Sequence, residues 1–261
     1  MSSYTYRPRG GGFYMGGLPP VVKWLLISNI GLFLLGFLAA GTTFGGLFLP
    51  LALIPSWVVE HFAVWQLVTY MFLHSATDFG HILFNMLSLW MFGSDLERTW
   101  GSRQFLKFYL FCGVGAGLLA VIGNYLYGTP DTRTIGASGA IYGVMMAFAL
   151  LFPDTTILFI LFPIRAKYFV MILGAIAFLS TLKASGSGVS HVAHLGGLLF
   201  GYLWVRTSLG GARRGGYGSR GGGRNPLEYL RTEYDKWRRA RARRKFEVYL
   251  KKRDSKDRWV Q

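Results

Sequence analysis

A single serine, Ser138, sits in the stretch TIGASGAIYGV (residues 134–144), ringed by residues almost too small to pack. A serine hydroxyl is a poor nucleophile until a base takes its proton, and a neutral imidazole is the usual base. Candidates for that base are His191 and His194, in SHVAHLGGLLFG. A carbonyl attacked by serine becomes an oxyanion and needs donors held in place. His81 and Asn85, in GHILFNMLSLW, are spaced i, i+4 and so share one helix face from which both can donate. The Ser138 backbone N–H, at a helix start, is a third donor. No Asp or Glu lies between Asp154 and Glu228. Nothing near His194 in the chain can orient its ring, so the pattern predicts a Ser138–His194 dyad, not a triad.

The plainer reading of the same residues is helix packing. Gly139 and Gly143 form a GxxxG pair, and small residues let two helix backbones approach closely. His194, Gly197 and Gly201 follow i, i+3, i+7 spacing and make a second smooth face. If the two faces pack, Ser138 and His194 come within hydrogen-bond reach, and the packing and chemical readings become one statement. Tyr142, one turn beyond Ser138, is then set to pack against the histidine.

The elements that must hold these residues are apolar. The chain is 52% hydrophobic and only 15% charged, against roughly 25% charged in a soluble domain. A membrane span needs about 20 predominantly apolar residues. Six candidates are Val21–Gly41, Phe79–Gly93, Phe105–Tyr127, Ser138–Phe152, Tyr168–Leu182 and Val189–Leu209, the shorter ones with polar residues near one end. Segment 42–78 is too hydrophobic for an ordinary loop and too broken for a span, which suggests a structure lying at the membrane surface. With the N-terminus in the cytoplasm, Arg7, Arg9, Lys23, Arg98, Arg103, Lys107, Arg165 and Lys167 fall inside; segment 42–78 holds no cation, and only Arg133 and Lys183 fall outside. That asymmetry follows the positive-inside rule and predicts a multi-pass cell-membrane protein with both termini cytoplasmic. Ionisable residues in spans are functional suspects. His81 with Asn85, Ser138, and His194 all lie toward the outer ends of their spans, at one depth.

The remaining features are plainer. Seventeen of the 28 Lys/Arg lie in residues 210–261. This suggests a flexible N-terminal segment (1–20), a membrane domain (21–209), a Gly/Arg-rich linker (210–225) and a basic helical tail (226–261). The tail is expected on anionic lipid headgroups, and no specific nucleic acid is expected. No signal peptide is expected, and Cys112 reads as core filler. His61 and His74 read as structural loop residues, and His191 as a residue at the aqueous mouth. No cofactor or metal is expected, because His191 and His194 without a carboxylate and a third ligand make a poor site. HExxH and a pair of intramembrane aspartates are both lacking, so metal-dependent and paired-aspartate hydrolysis fit poorly.

The whole pattern resembles the rhomboid family of intramembrane serine proteases, over about residues 21–209. The matching pieces are GASGAIYG for the family's GxSG box, His81-xxx-Asn85 in the second span and AHLGG in the sixth. FPIRAKYF (162–169) and the Trp65-bearing loop are also similar to bacterial members. The resemblance implies an all-α bundle of six transmembrane helices with a water-filled cavity open to the outer face. Segment 42–78 would be a membrane-dipping first loop, and the loop near Lys183–Gly188 a mobile cap. Ser138 would be nucleophile and His194 base and acid, with His81, Asn85 and the Ser138 amide stabilising the oxyanion. Gly136 would leave room for the substrate backbone, Tyr142 would support His194, and Gly197 would permit the close packing. Expected substrates are single-span membrane proteins cleaved near the outer interface, with small residues near the cut and helix-destabilising residues beneath it. Many members carry Trp-Arg where this chain has Trp65-Gln66, which puts the first loop's stability in question more than the chemistry. A catalytically silent relative that escorts membrane clients is the alternative. A transporter would show internal repeats and a charged path through the membrane, and neither is seen.

Overall fold

A computed structural model of the chain describes residues 17–127, 129–159, 162–182 and 188–211. The expected N-terminal segment enters this range only at Gly17 and the Gly/Arg linker only as far as Gly211. The basic tail, and residues 183–187 of the expected cap, lie outside the described residues.

Helix α1 (Pro20–Ala39) begins with a proline in its first turn, where a missing N–H costs nothing. It is apolar all round, and Trp24, Ile27, Leu34, Leu35 and Leu38 stand exposed, as on a helix facing lipid. Its start is held from far along the chain. The N–H groups of Val21 and Val22 donate to the Glu97 carboxylate at 2.9 and 2.8 Å, and the Ser102 hydroxyl donates to it at 2.6 Å. Glu97 is 2% exposed. A carboxylate tolerates such burial here because the helix start supplies otherwise unpaired N–H groups and the positive end of the helix dipole.

Segment 42–78 folds as a 3₁₀ stretch (Thr43–Leu51) and the short helices α2 (Pro55–Glu60) and α3 (Gln66–Thr69), followed by a turn at Tyr70–Phe72. Gln66 staples it internally. Fully buried, its Oε1 accepts from the Ile54 N–H at 2.9 Å while its Nε2 donates to the Pro50 carbonyl at 3.2 Å. The Trp65 indole N–H donates to the same carbonyl at 3.0 Å, and the Thr69 hydroxyl donates to Leu51 at 2.7 Å. An amide carries both a donor and an acceptor, where arginine has donors only, so glutamine closes this loop by satisfying two backbone groups of opposite kind.

Helix α4 (Phe79–Ser88) is capped by Asp78, whose side chain accepts from the His81 N–H. It passes through a wide π-helical turn (Leu89–Gly93) into α5 (Ser94–Trp100). The apolar run ends at Gly93, but the helix does not. Asp95, Glu97 and Arg98 break the run without breaking the helix, because Glu97 caps α1 and Asp95 pairs with Arg98 at 3.3 Å on the surface. A positive-φ glycine, Gly101, turns the chain into α6 (Ser102–Leu126).

Helix α7 (Ser138–Leu151) lies at the centre of the bundle, with Gly139, Ala140, Ile141, Gly143, Val144, Met145, Ala147, Phe148 and Ala149 buried. It packs between α6, α8 (Ala166–Leu182) and α9 (Gly188–Gly211). An antiparallel hairpin, β1 (Thr156–Phe159) with β2 (Phe162–Arg165), joins α7 to α8. The hairpin is not anticipated by the apolar pattern. Asp154 beside it pairs with Arg165 and Lys167 at 3.5 and 2.9 Å. Among the described residues, α1 and α6 are long and apolar enough to cross a membrane, and α7 and most of α8 are shorter apolar helices.

The Glu97 anchor yields a prediction. Glu97→Ala leaves the buried Val22 N–H and the half-buried Val21 N–H unpaired and is expected to lower unfolding free energy by about 3 kcal/mol, with Glu97→Gln less damaging. Unfolding in detergent micelles measures it, and an unchanged midpoint in Glu97→Ala would count against the anchor.

Candidate active site

The approach to α7 is built by segment 42–78. Leu53 and Thr134 exchange backbone hydrogen bonds at 3.0 and 2.9 Å, and the Ser56 hydroxyl donates to Asp131 at 2.6 Å. The Gly136 N–H donates to the Tyr70 carbonyl at 2.9 Å. Gly136 has φ +120°, a conformation that side chains resist. A Cβ there would also lie 2.8 Å from both Cε1 and Nε2 of His81, and 3.8 Å from Ser138 Oγ. Gly136, His81 and Ser138 therefore converge. Two residues on, Ser138 opens α7, and its backbone N–H is among those a helix start leaves without an intrahelical partner.

Helices α7 and α9 meet backbone to backbone. A Cβ at Gly197 would overlap the Gly139 carbonyl oxygen and come within 3.2 Å of Tyr142 Cβ; one at Gly201 would lie 2.6 Å from the Gly143 oxygen. From this seam the side chains above it inherit their positions. Ser138 Oγ and His194 Nε2 are 2.8 Å apart. The Tyr142 ring stacks on the His194 ring, centroids 4.3 Å apart and planes within 5°. His191, half-buried, stands edge-on to His194 at 5.9 Å. No carboxylate among the described residues hydrogen-bonds to His194.

The polar pair of α4 is arranged differently from what the spacing suggests. Asn85 is buried, and its Nδ2 donates to the His81 carbonyl at 2.6 Å, committing one amide hydrogen to its own helix and leaving the other. His74 lies with its ring 5.1 Å from that of His81, so this loop residue lines the site's flank. His61 is exposed against Trp57 of α2.

One residue that spacing alone does not single out is Tyr70. Besides holding Gly136, it donates its hydroxyl to the Gly113 carbonyl of α6 at 2.7 Å and fills the space beside Gly139. Burial, and Tyr109 nearby, push its phenol well above the ordinary tyrosine value, so it remains a donor. Nothing in the sequence around it marks that role.

The family model described as "Rhomboid domain" matches residues 61–210, more than half of the chain. YdcA of Bacillus subtilis is 34% identical over 141 residues, which are 53% of this chain and 64% of that protein. The mitochondrial rhomboid protein 1 of Saccharomyces cerevisiae is 32% identical over 145 residues, 50% of this chain and 38% of that protein. The rhomboid protease GlpG of Haemophilus influenzae is 29% identical over 150 residues, 58% of this chain and 72% of that protein. The chain thus spans less than two thirds of the length of the first two of these relatives.

Gly197→Val is expected to force α7 and α9 apart and to cut labelling of Ser138 by a fluorophosphonate at least 100-fold while the protein still inserts into membranes. Gly136→Ala, which aims a methyl group at His81, is expected to do likewise. Labelling at the wild-type rate in both variants would contradict the close-packed site.

Proposed function

The chain belongs to the rhomboid family, and from that premise we propose that it is an intramembrane serine endopeptidase working through Ser138 and His194. The observation that supports this most is the 2.8 Å contact between Ser138 Oγ and His194 Nε2 inside an apolar helix bundle. Hydroxyl and imidazole at that distance are a nucleophile with its base.

His194 takes the Ser138 proton as Oγ adds to the carbonyl carbon of the scissile peptide. The carbonyl oxygen becomes an oxyanion, facing the Ser138 backbone N–H, the His81 ring and the uncommitted amide hydrogen of Asn85. Fixed donors of this kind stabilise the charge as it develops. The imidazolium of His194 then gives its proton to the leaving amine, the C–N bond breaks, and an acyl-Ser138 ester remains. Water, deprotonated by His194, attacks the ester carbon and releases the acid, and the proton returns to Oγ. With no carboxylate among the described residues bonded to His194, stacking on Tyr142 holds the ring in plane through the cycle. Gly136 leaves open the space that a substrate backbone needs next to His81 and Ser138.

The bundle is proposed to cross the membrane six times with both termini cytoplasmic, and segment 42–78 to lie at the outer surface. Substrates are proposed to be single-span proteins cut near that surface. A peptide in an intact helix hides its carbonyls in its own hydrogen bonds, so helix-destabilising residues beneath the cut favour cleavage. The basic tail is proposed to rest on anionic headgroups.

Incubation with a generic single-span substrate tests the reading. Ser138→Ala and His194→Ala are each expected to lower kcat by about 10⁴-fold or more, with insertion unchanged. Cleavage that survives both variants would remove Ser138 and His194 from the chemistry. A wild-type protein that neither cleaves nor labels with a fluorophosphonate would favour the silent, client-binding alternative.

A further inference from the structure

Beside the site lies a second concavity, which the proteolytic mechanism does not use. It encloses about 530 Å³ between α1, the 3₁₀ stretch after it, and the extended segment leading to Ser138. One wall is Leu32 and Gly36 of α1, at i, i+4, with Ala40 just beyond the helix end. The facing wall includes Gly46 and Phe48. A Cβ built at Gly36 or Gly46 meets nothing within 4 Å, so the glycines leave an open trough instead of a packed seam. In this the trough differs from the α7–α9 contact, where a Cβ added at Gly197 or Gly201 would collide.

The rim of the trough is polar. Arg133 lines it, exposed, and has no acidic or hydrogen-bonding partner among the described residues. His74 lines it too, 9% exposed, with the Phe72 backbone close to its ring but neither ring nitrogen in good hydrogen-bond geometry. Burial pushes this imidazole down to about 4, the neighbouring His81 adds to the shift, and a Phe72 backbone group partly offsets it. A neutral ring at physiological pH offers one donor and one acceptor. A buried polar group without a partner is uncommon and calls for one.

We propose that this trough is a binding site for an anionic glycerophospholipid, with the phosphate on Arg133, a glycerol or ester oxygen on His74, and one acyl chain laid between α1 and the 3₁₀ stretch. The inference rests on the membrane reading above but not on proteolysis. Charge complementarity selects the anion, since Arg133 is an unpaired cation at the end of an apolar trough. Beside the trough's α1 wall Leu35 stands exposed, apolar surface that a lipid tail would cover. Ile135 also lines the space, one residue before Gly136, so an occupant would touch the extended segment that feeds the site.

Native mass spectrometry of the Ser138→Ala protein, released from micelles doped with phosphatidylglycerol or phosphatidylcholine, tests the site independently of activity. Retention of one phosphatidylglycerol, at least tenfold tighter than phosphatidylcholine, is the expected result. Arg133→Gln, a surface change that leaves the bundle untouched, is expected to erase that preference. Gly46→Leu, which fills the trough, is expected to lose the lipid altogether. Inorganic phosphate at millimolar concentration is expected to leave the lipid bound; displacement by phosphate alone would mean a simple anion site and overturn the lipid assignment. Equal retention of the two lipids, or a preference that survives Arg133→Gln, would also overturn it.

Discussion

Everything at the site depends on a backbone contact made without side chains. At Gly139 and Gly197, and again at Gly143 and Gly201, α7 and α9 approach so closely that a methyl group on either Gly197 or Gly201 would enter the other helix's carbonyl. In a bilayer there is little hydrophobic gain from pressing one apolar helix against another, because lipid tails are equally apolar. Close dispersion contact between smooth surfaces is what remains, and glycine maximises it. A serine and a histidine on separate helices can then stay 2.8 Å apart with no carboxylate among the described residues to aim the ring.

The rest of the fold keeps that seam in place and brings a third element to it. Glu97 ties the start of α1 to α5 through two hydrogen bonds and takes a third from Ser102 at the start of α6. Segment 42–78, closed on itself by Gln66, holds the extended segment before Ser138 through Leu53 and Tyr70. Gly136 can accordingly keep a φ of +120° that leaves the Cε1–Nε2 edge of His81 uncovered. Buried polar groups do this work, and each such partner removes a freedom the chain would otherwise have.

Much of this is legible in the amino-acid order. Residues at i, i+3, i+4 and i+7 must share a face, so two smooth glycine faces with Ser138 and His194 above them can be read before any coordinates. Apolar runs locate the main helices closely. They mislead where charge is locally neutralised: the helix through α4 and α5 outlasts its apolar run because Glu97 is capped by another helix 75 residues away in sequence. They are also blind to β1 and β2, whose short apolar stretches look like the flanks of a span. Tyr70 is hidden for a different reason, since its carbonyl and hydroxyl act on partners that only the tertiary fold brings near. Asn85 is half legible: spacing gives its face, but not that one amide hydrogen is spent on the His81 carbonyl.

The most direct test of the central contact is an experimental structure in lipid nanodiscs after reaction with a fluorophosphonate. Phosphorus bonded to Ser138 Oγ, His194 stacked on Tyr142 within hydrogen-bonding distance of the adduct, and Gly197 seated against the Gly139 carbonyl are the predicted result. Side chains or lipid filling the space between α7 and α9, with the hydroxyl and imidazole out of each other's reach, would contradict the account.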